Sequence, residues 1–256
     1  MQPEPSGSFV PPSRVLVAVA MEVEERALRD RLRFGAQTVA GVPVLTAERE
    51  GRTVHLVRTG VGPVRAAVQT AFLCREVRPD AVLLLGVGGA LSPALEVGDL
   101  VVASGIVQHD CVLYGEAGDE LMAPGALHLS LAPGERPPAL LRCDPHLQAW
   151  ARSAALAAGI AMHAGLVLSG NSFIASKARK RALRALHEGA LLVDMEAGGI
   201  GQVLRDDGIP FVAAKTVADR LGDGGAIEAE YRDFLPRAAA NAGAVLDALL
   251  AIPPGG

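Results

Sequence analysis

The sequence predicts a three-layer α/β/α fold with a mostly parallel central sheet, and three observations predict it. Aliphatic runs alternate along the chain with helix-period segments, the pattern of strands joined by helical crossovers. Hydrophobic residues make up 50% of the 256 residues and aromatics only 4%, so the core must be built of Val, Leu, Ile and Ala, as suits strands buried on both faces. Several of the runs also end in residues with chemical capacity, and open α/β sheets bind ligands just beyond the carboxyl ends of their strands.

The elements follow in order. "RVLVAVA" (14–20) is the first core strand, and the charged stretch after it predicts a helix over about 23–33. "TVHLVRTG" (53–60) is a second strand, followed by a helix over 63–77. "AVLLLGVG" (81–88) and "DLVVASGIV" (99–107) are two more strands. A helix over 146–157 precedes the strand "AGLVLSG" (164–170), and a helix over 176–187 precedes "ALLVDME" (190–196). A helix over 197–206, the strand "PFVAAKTVAD" (210–219) and a helix over 229–250 complete the chain. Between Cys111 and Cys143 the sequence is rich in Gly and Pro and weak in period, which predicts an irregular excursion at about 111–145; long loops of this kind often act as lids. No internal repeat or domain boundary interrupts the pattern, so residues 14–256 are expected to form one domain behind a flexible Pro/Ser tail, 1–13.

Composition excludes several classes of function. A net charge of −4 gives no basic footprint for nucleic acid and no reason to expect an anionic membrane. The longest uncharged stretch, Ala81 to Leu95, is broken by glycines and Pro93 and is too short to span a bilayer. The N-terminal stretch lacks the basic flank and apolar run of a signal peptide. Cys74, Cys111 and Cys143 are scattered, as suits small hydrophobes in a reducing compartment. A soluble, cytoplasmic protein is expected.

"GVGPVR" at 60 and "GVGGAL" at 86 carry parts of a dinucleotide fingerprint, but each lacks the third glycine and the later acidic residue. Tight turning, or close backbone approach to a smaller ligand, explains them instead. The six histidines show no zinc spacing. His109-Asp110 reads either as an acid–base pair or as a structural hydrogen bond, and "SKARKR" (176–181) reads as a solvated helix face. The acids carry more. Glu22 and Glu24 directly follow the first core strand at a helix start, where the helix dipole favours anions. Glu196 and Asp219 each end another buried run. Carboxylates in an apolar site have raised pKa values, which lets one donate a proton while another accepts. Three acids at three strand ends therefore point to acid–base chemistry in one crevice.

The stretches "VAMEVEE", "TGVGPVRAA", "RPDAVLLLGVGGALSPALEVGDLVVAS" with "HD" after it, "GLVLSGNSFI", "VDMEAGGI" and "PFVAAKTVAD", in this order, carry a resemblance. The chain resembles the nucleoside phosphorylase and nucleosidase superfamily, most closely the 5′-methylthioadenosine/S-adenosylhomocysteine nucleosidases. The matching stretches cover most of 15–110 and 164–250, while 111–150 departs from the family's usual loop.

The resemblance implies a mixed sheet of the nucleoside phosphorylase type. It implies hydrolysis of the N-glycosidic bond of a 5′-modified purine nucleoside, expected to be an adenine nucleoside, with release of the free base. It makes Asp219 the general acid at purine N7, Glu24 the carboxylate that activates water, and Glu196 the ligand of the ribose hydroxyls with Met195 packed on the sugar. Phe173 matches the base-stacking ring and the backbone of Ile174 the partner of the purine edge, while Met21, Val61 and Gly88 fall on the sugar and 5′ side. Val87 stands where the nucleosidases usually have Ser, Lys215 where they have Arg, and Ala218-Asp219 where they have Ser-Asp. Val87 and Lys215 therefore join the expected substrate-binding set, next to the attacking water. Asp194 receives no role and is read as structural. The resemblance implies no metal or organic cofactor, a small-molecule nucleoside as partner, and a homodimer in which a neighbour's loop closes the 5′ end.

Within the superfamily a phosphorylase must hold phosphate, and bacterial trimeric and hexameric relatives place an arginine for this after the first strand. Here "MEVEE" occupies that place, and its charges repel phosphate. Hydrolysis is therefore favoured, while a futalosine hydrolase or other purine nucleosidase, a purine nucleoside phosphorylase and a non-catalytic nucleoside-binding protein stay open as alternatives.

Overall fold

The structure is a computed structural model that describes residues 11–39, 41–126, 128–132, 135–221 and 226–252. Strand β1 (Arg14–Val19) leads into helix α1 (Glu22–Arg29), and β2 (Gly35–Val39), β3 (Val42–Arg49) and β4 (Arg52–Arg58) form an antiparallel meander before α2 (Pro63–Val77). Next come β5 (Ala81–Leu84), β6 (Val87–Ala90) and β7 (Leu100–Gln108), then the hairpin β8 (Val112–Gly115) and β9 (Gly118–Leu121), and β10 (Leu140–Arg142). The rest alternates: α3 (Pro145–Ala157), β11 (Met162–Ser169), α4 (Lys177–Leu186), β12 (Ala190–Asp194), α5 (Ala197–Asp206), β13 (Phe211–Asp219) and α6 (Ile227–Ala251).

Among the described residues one mixed sheet runs in the order β10-β7-β11-β12-β6-β13-β5-β1-β4-β3-β2. Its centre is parallel: β1 pairs with β4 and β5, and β13 with β5 and β6. Helices cover both faces here, so every residue of β5 and of β13 is buried, and β5 reads as an unbroken aliphatic run. The run expected as one strand over 81–88 is divided. Gly86, at φ 120°, turns the chain so that β6 leaves β1 behind and pairs with β13 on one side and antiparallel with β12 on the other.

The predicted helices lie within a few residues of those observed, apart from the first, which ends at Arg29 rather than 33. Strands β2 and β3 were not expected. The excursion at 111–145 holds more order than its sequence suggested, with the β8–β9 hairpin and with β10 antiparallel on the edge of β7. Of the expected tail, residues 1–10 lie outside the described residues, while Pro11 is buried and Ser13 Oγ donates to Asp80 Oδ2 at 2.8 Å. No helix among the described residues is long and apolar enough to cross a membrane.

One packing contact bears directly on the site. The first turn of α5 reads Ala-Gly-Gly-Ile-Gly, and a Cβ at Gly199 would stand 2.4 Å from the carbonyl oxygen of Pro63. Glycine there lets the start of α2 lie against α5, which fixes the Gly60-Val61-Gly62 turn beside the end of β12.

Candidate active site

A cavity of about 330 Å³ opens at the carboxyl ends of the central strands. Glu24, Glu196 and Asp219 all line it, together with Met21, Val61, Val87, Gly88, Phe173, Ile174 and Met195. The ends of three strands bring in the acids: Glu24 from the first turn of α1, which follows β1, Glu196 just beyond β12, and Asp219 as the last residue of β13. Phe173 and Ile174 come from the chain after β11, and Val61 from the turn before α2.

Glu24 is buried in the first turn of α1 and reaches back toward the strand it follows. Its Oε2 accepts the backbone N–H of Ala20 and of Met21, each at 2.8 Å, and its Oε1 accepts that of Val87 at 2.8 Å. A carboxylate offers about four acceptor positions, so three fixed bonds orient the group and leave about one position for a further donor. Gly86 is required here as well, since a Cβ on it would fall 2.4 Å from Glu24 Oε1. Gly86 and Gly89 therefore make room for carboxylates, while Gly88 admits the Leu192 side chain. Burial holds the Glu24 carboxyl above its usual range, against the opposing pull of Lys215 and the three N–H groups.

Glu196 caps the start of α5, and its Oε1 accepts the N–H of Gly62 at 2.9 Å. Burial first, and then the neighbouring Asp194 carboxylate, push its pKa up to about 7, while Lys215 and the Gly62 N–H act in the opposite direction. Lys215, expected in the substrate-binding set, is not among the lining residues. It is buried behind the acids, its Nζ 3.2 Å from Asp194 Oδ2. Burial alone would lower its pKa, but Asp194, Glu196 and Glu24 together hold it above the usual range. Asp194, read as structural, anchors that ammonium and also accepts the N–H of Ala197.

Asp219 has a partner the sequence reading did not supply. Lys180 of α4, placed by that reading on a solvated helix face, is buried and its Nζ donates to Asp219 Oδ1. Arg179 and Arg181 on either side of it are exposed, so the basic run is a surface with one inward member. The spacing held a signal: Lys180 sits three residues before Leu183, the other buried residue of the helix, on the same face. Tyr231 of α6 was also missed. It lines the cavity, its hydroxyl lies 3.5 Å from Met21 Sδ, and its ring meets Phe173 edge to face with centroids 5.1 Å apart.

His109 and Asp110 do not line the cavity. Asp110 accepts the N–H of Asn171 at 2.6 Å and holds the loop that carries Phe173, which favours the structural reading of the pair.

A sequence model described as the phosphorylase superfamily matches residues 14–251. The chain is 32% identical over 229 residues to a 5′-methylthioadenosine/S-adenosylhomocysteine nucleosidase of Actinobacillus succinogenes, covering 88% of this chain and 92% of the relative. Among solved structures it is similar to the Neisseria meningitidis nucleosidase of the same name in complex with methylthio-immucillin-A, with a TM-score of 0.78, 29% identity, and coverage of 93% of this chain and 98% of that one. A mutant of the Helicobacter pylori futalosine hydrolase shares the fold, with a TM-score of 0.78 at 20% identity over 93% of this chain and 99% of that one.

The raised pKa of Glu196 fixes the sign of a stability effect. An acid whose folded pKa lies above its unfolded one favours the fold while protonated, and that contribution is lost as pH rises from the ordinary carboxylate range through about 7. Glu196→Gln removes the ionisation. Its Tm relative to wild type is expected to rise between about pH 5 and about pH 8, by roughly 2–4 °C for each kcal/mol of relief. Thermal unfolding of the two proteins across that range checks this; a constant difference would contradict it.

Proposed function

Because this chain belongs to the phosphorylase superfamily, we propose that its cavity hydrolyses the N-glycosidic bond of an adenine nucleoside carrying an apolar or thioether group at the 5′ carbon. The convergence of Glu24, Glu196 and Asp219 on one cavity carries this reading. Cleavage of such a bond builds positive charge on the sugar and negative charge on the departing base. The cavity offers a group for each.

In this reading Asp219 protonates N7 of the purine, which lies between Phe173 and the Gly88-Gly89 backbone. Glu196 accepts the ribose hydroxyls; one carboxylate can take two donors, and charge-assisted bonds are stronger than neutral ones. Glu24 takes a proton from the attacking water through its remaining acceptor position. The change from Ser to Val at position 87 leaves that arrangement intact, because the bond from Val87 comes from its backbone. Lys215 serves at one remove, keeping Glu196 and Glu24 supplied with a nearby positive charge. Met21, Val61, Phe173 and Tyr231 give the outer cavity an apolar character, which suits a thioether or alkyl group better than a phosphate or a free hydroxyl.

Hydrolysis is favoured over phosphorolysis. The acids of the site repel phosphate, and its two buried lysines are each bonded to a carboxylate.

A second copy of the chain is the proposed partner. Val61, Val64, Val68 and Phe72, at 52, 74, 50 and 51% exposure, follow one face of the α2 region and begin in the cavity wall itself. An apolar stripe of this kind on a surface calls for a cover, and a homodimer built on it would complete the 5′ end of the site. Val64→Glu with Val68→Glu is expected to halve the mass seen by light scattering and to raise KM for the 5′-substituted nucleoside. A wild-type protein that scatters as a monomer would contradict the dimer.

The direct test is release of free base from methylthioadenosine, adenosylhomocysteine, futalosine and inosine, with and without phosphate. Adenine and the free sugar are expected from the first two, at a rate that phosphate does not change. Asp219→Asn is expected to lower kcat by about 10²–10⁴-fold, the usual scale for a lost general acid. An undiminished rate in that variant would remove Asp219 from the reaction, and a sugar 1-phosphate product would make the protein a phosphorylase.

A further inference from the structure

Lys180 is an amine from an otherwise solvated helix face, 1% exposed, whose hydrogen bond goes to the carboxylate that faces the purine in the proposed reaction. The surroundings are shaped for the pair. A Cβ on Gly89 would stand 2.6 Å from Lys180 Nζ and 2.9 Å from Asp219 Oδ2, so any larger residue there would displace the pair. Asp219 is further held by the N–H of Ala90. Other titratable groups face the pair from every side. Glu230 and Tyr231 come from α6, with Glu230 itself held by Arg220. Glu24 from α1, and Asp194 and Glu196 at the end of β12, line the same cavity, with Lys215 bonded to Asp194 behind them.

Burial disfavours the charged form of the amine and of the carboxyl alike, while contact between them favours the ion pair. Such a pair titrates as a unit, and its one acidic proton has two places to reside. A lone carboxyl at the same depth would hold that proton over a narrower range of pH.

We propose that Lys180 is a positioning residue for the proton donor, the store from which Asp219 draws the proton it delivers to purine N7. The inference rests on the nucleosidase reading and gives it a source for the proton. Before reaction the pair holds one proton, on Lys180 as ammonium or on Asp219 as carboxylic acid. Water adds its oxygen to C1′ and gives a proton to Glu24; the C1′–N9 bond breaks and its electron pair passes to the purine; N7 takes the proton of the pair. Lys180 is left as a neutral amine beside the Asp219 carboxylate, and Glu24 as a carboxylic acid. Proton exchange with solvent then restores both, so that nucleoside and water become base and sugar with nothing else consumed.

The experiment is kcat/KM for adenine release from methylthioadenosine between about pH 5 and about pH 10 in wild type, Lys180→Met and Lys180→Arg, with folding followed by thermal unfolding. In Lys180→Met the basic limb of the profile is expected to fall by at least about one pH unit, with the plateau on its acid side within about tenfold of wild type. Lys180→Arg keeps the charge but cannot surrender a proton, and is expected to be at least about 100-fold slower at every pH. Superimposable normalised profiles for wild type and Lys180→Met, or full activity in Lys180→Arg, would overturn the store while leaving the nucleosidase reading in place. A folded wild type that releases no base would overturn that reading and the store with it. Should Lys180→Met not fold, ¹⁵N-lysine NMR of the wild type gives the same answer: the buried amine must lose its proton in the pH window of the basic limb, and an amine that stays charged through it overturns the proposal.

Discussion

Carboxylates removed from water hold their charge only where cations or hydrogen bonds replace the lost hydration. Four of them, Glu24, Asp194, Glu196 and Asp219, are buried around one cavity, and each is met differently. Glu24 has three backbone N–H groups, Asp194 has Lys215, Asp219 has Lys180, and Glu196 has a single N–H and the more distant charge of Lys215. Burial raises the pKa of Glu24, Glu196 and Asp219 alike, and each has a different counterweight to it. Separating the pKa values of neighbouring acids is what allows one to donate while another accepts.

The fold exists in its particular form to supply these partners. Strand β13 pairs in turn with β5, β7 and β6, and this switching of neighbours carries Lys215 behind the acids and Asp219 to the cavity. Gly86 bends the chain between β5 and β6, which aims the N–H of Val87 at Glu24 and leaves space for that carboxylate. Gly199 of α5 admits the backbone of Pro63 and so brings the N–H of Gly62 to Glu196. Each glycine acts by permitting an approach that a Cβ would block, which is why their spacing matches no dinucleotide fingerprint.

Much of the fold was legible because its interior strands are buried on both faces and read as plain aliphatic runs. Strands β2 and β3 were not, since "GAQTV" is a largely exposed edge strand and "VPVLTAER" beside it is only half buried, where the apolar signal is thin. The break at Gly86 was hidden inside an apolar run that continues through it. In the site, Glu24, Glu196 and Asp219 were visible as charges ending buried runs, and their roles came from the resemblance. Lys180 was not visible, because a lysine among exposed arginines looks like its neighbours unless the helix phase is set against Leu183. Lys215 was expected to touch substrate; the side chain of a central strand buried on all sides instead meets Asp194.

The central claim is that acids from three distant segments act on a single nucleoside. The most direct measurement is a crystal structure of this protein with a non-hydrolysable 5′-alkylthio adenine nucleoside analogue. The account predicts a carboxyl oxygen of Asp219 within hydrogen-bond distance of the base at N7, both oxygens of Glu196 on the sugar hydroxyls, and an ordered water between Glu24 and C1′. A nucleoside bound outside this cavity, or one whose N7 faces away from Asp219, would contradict it.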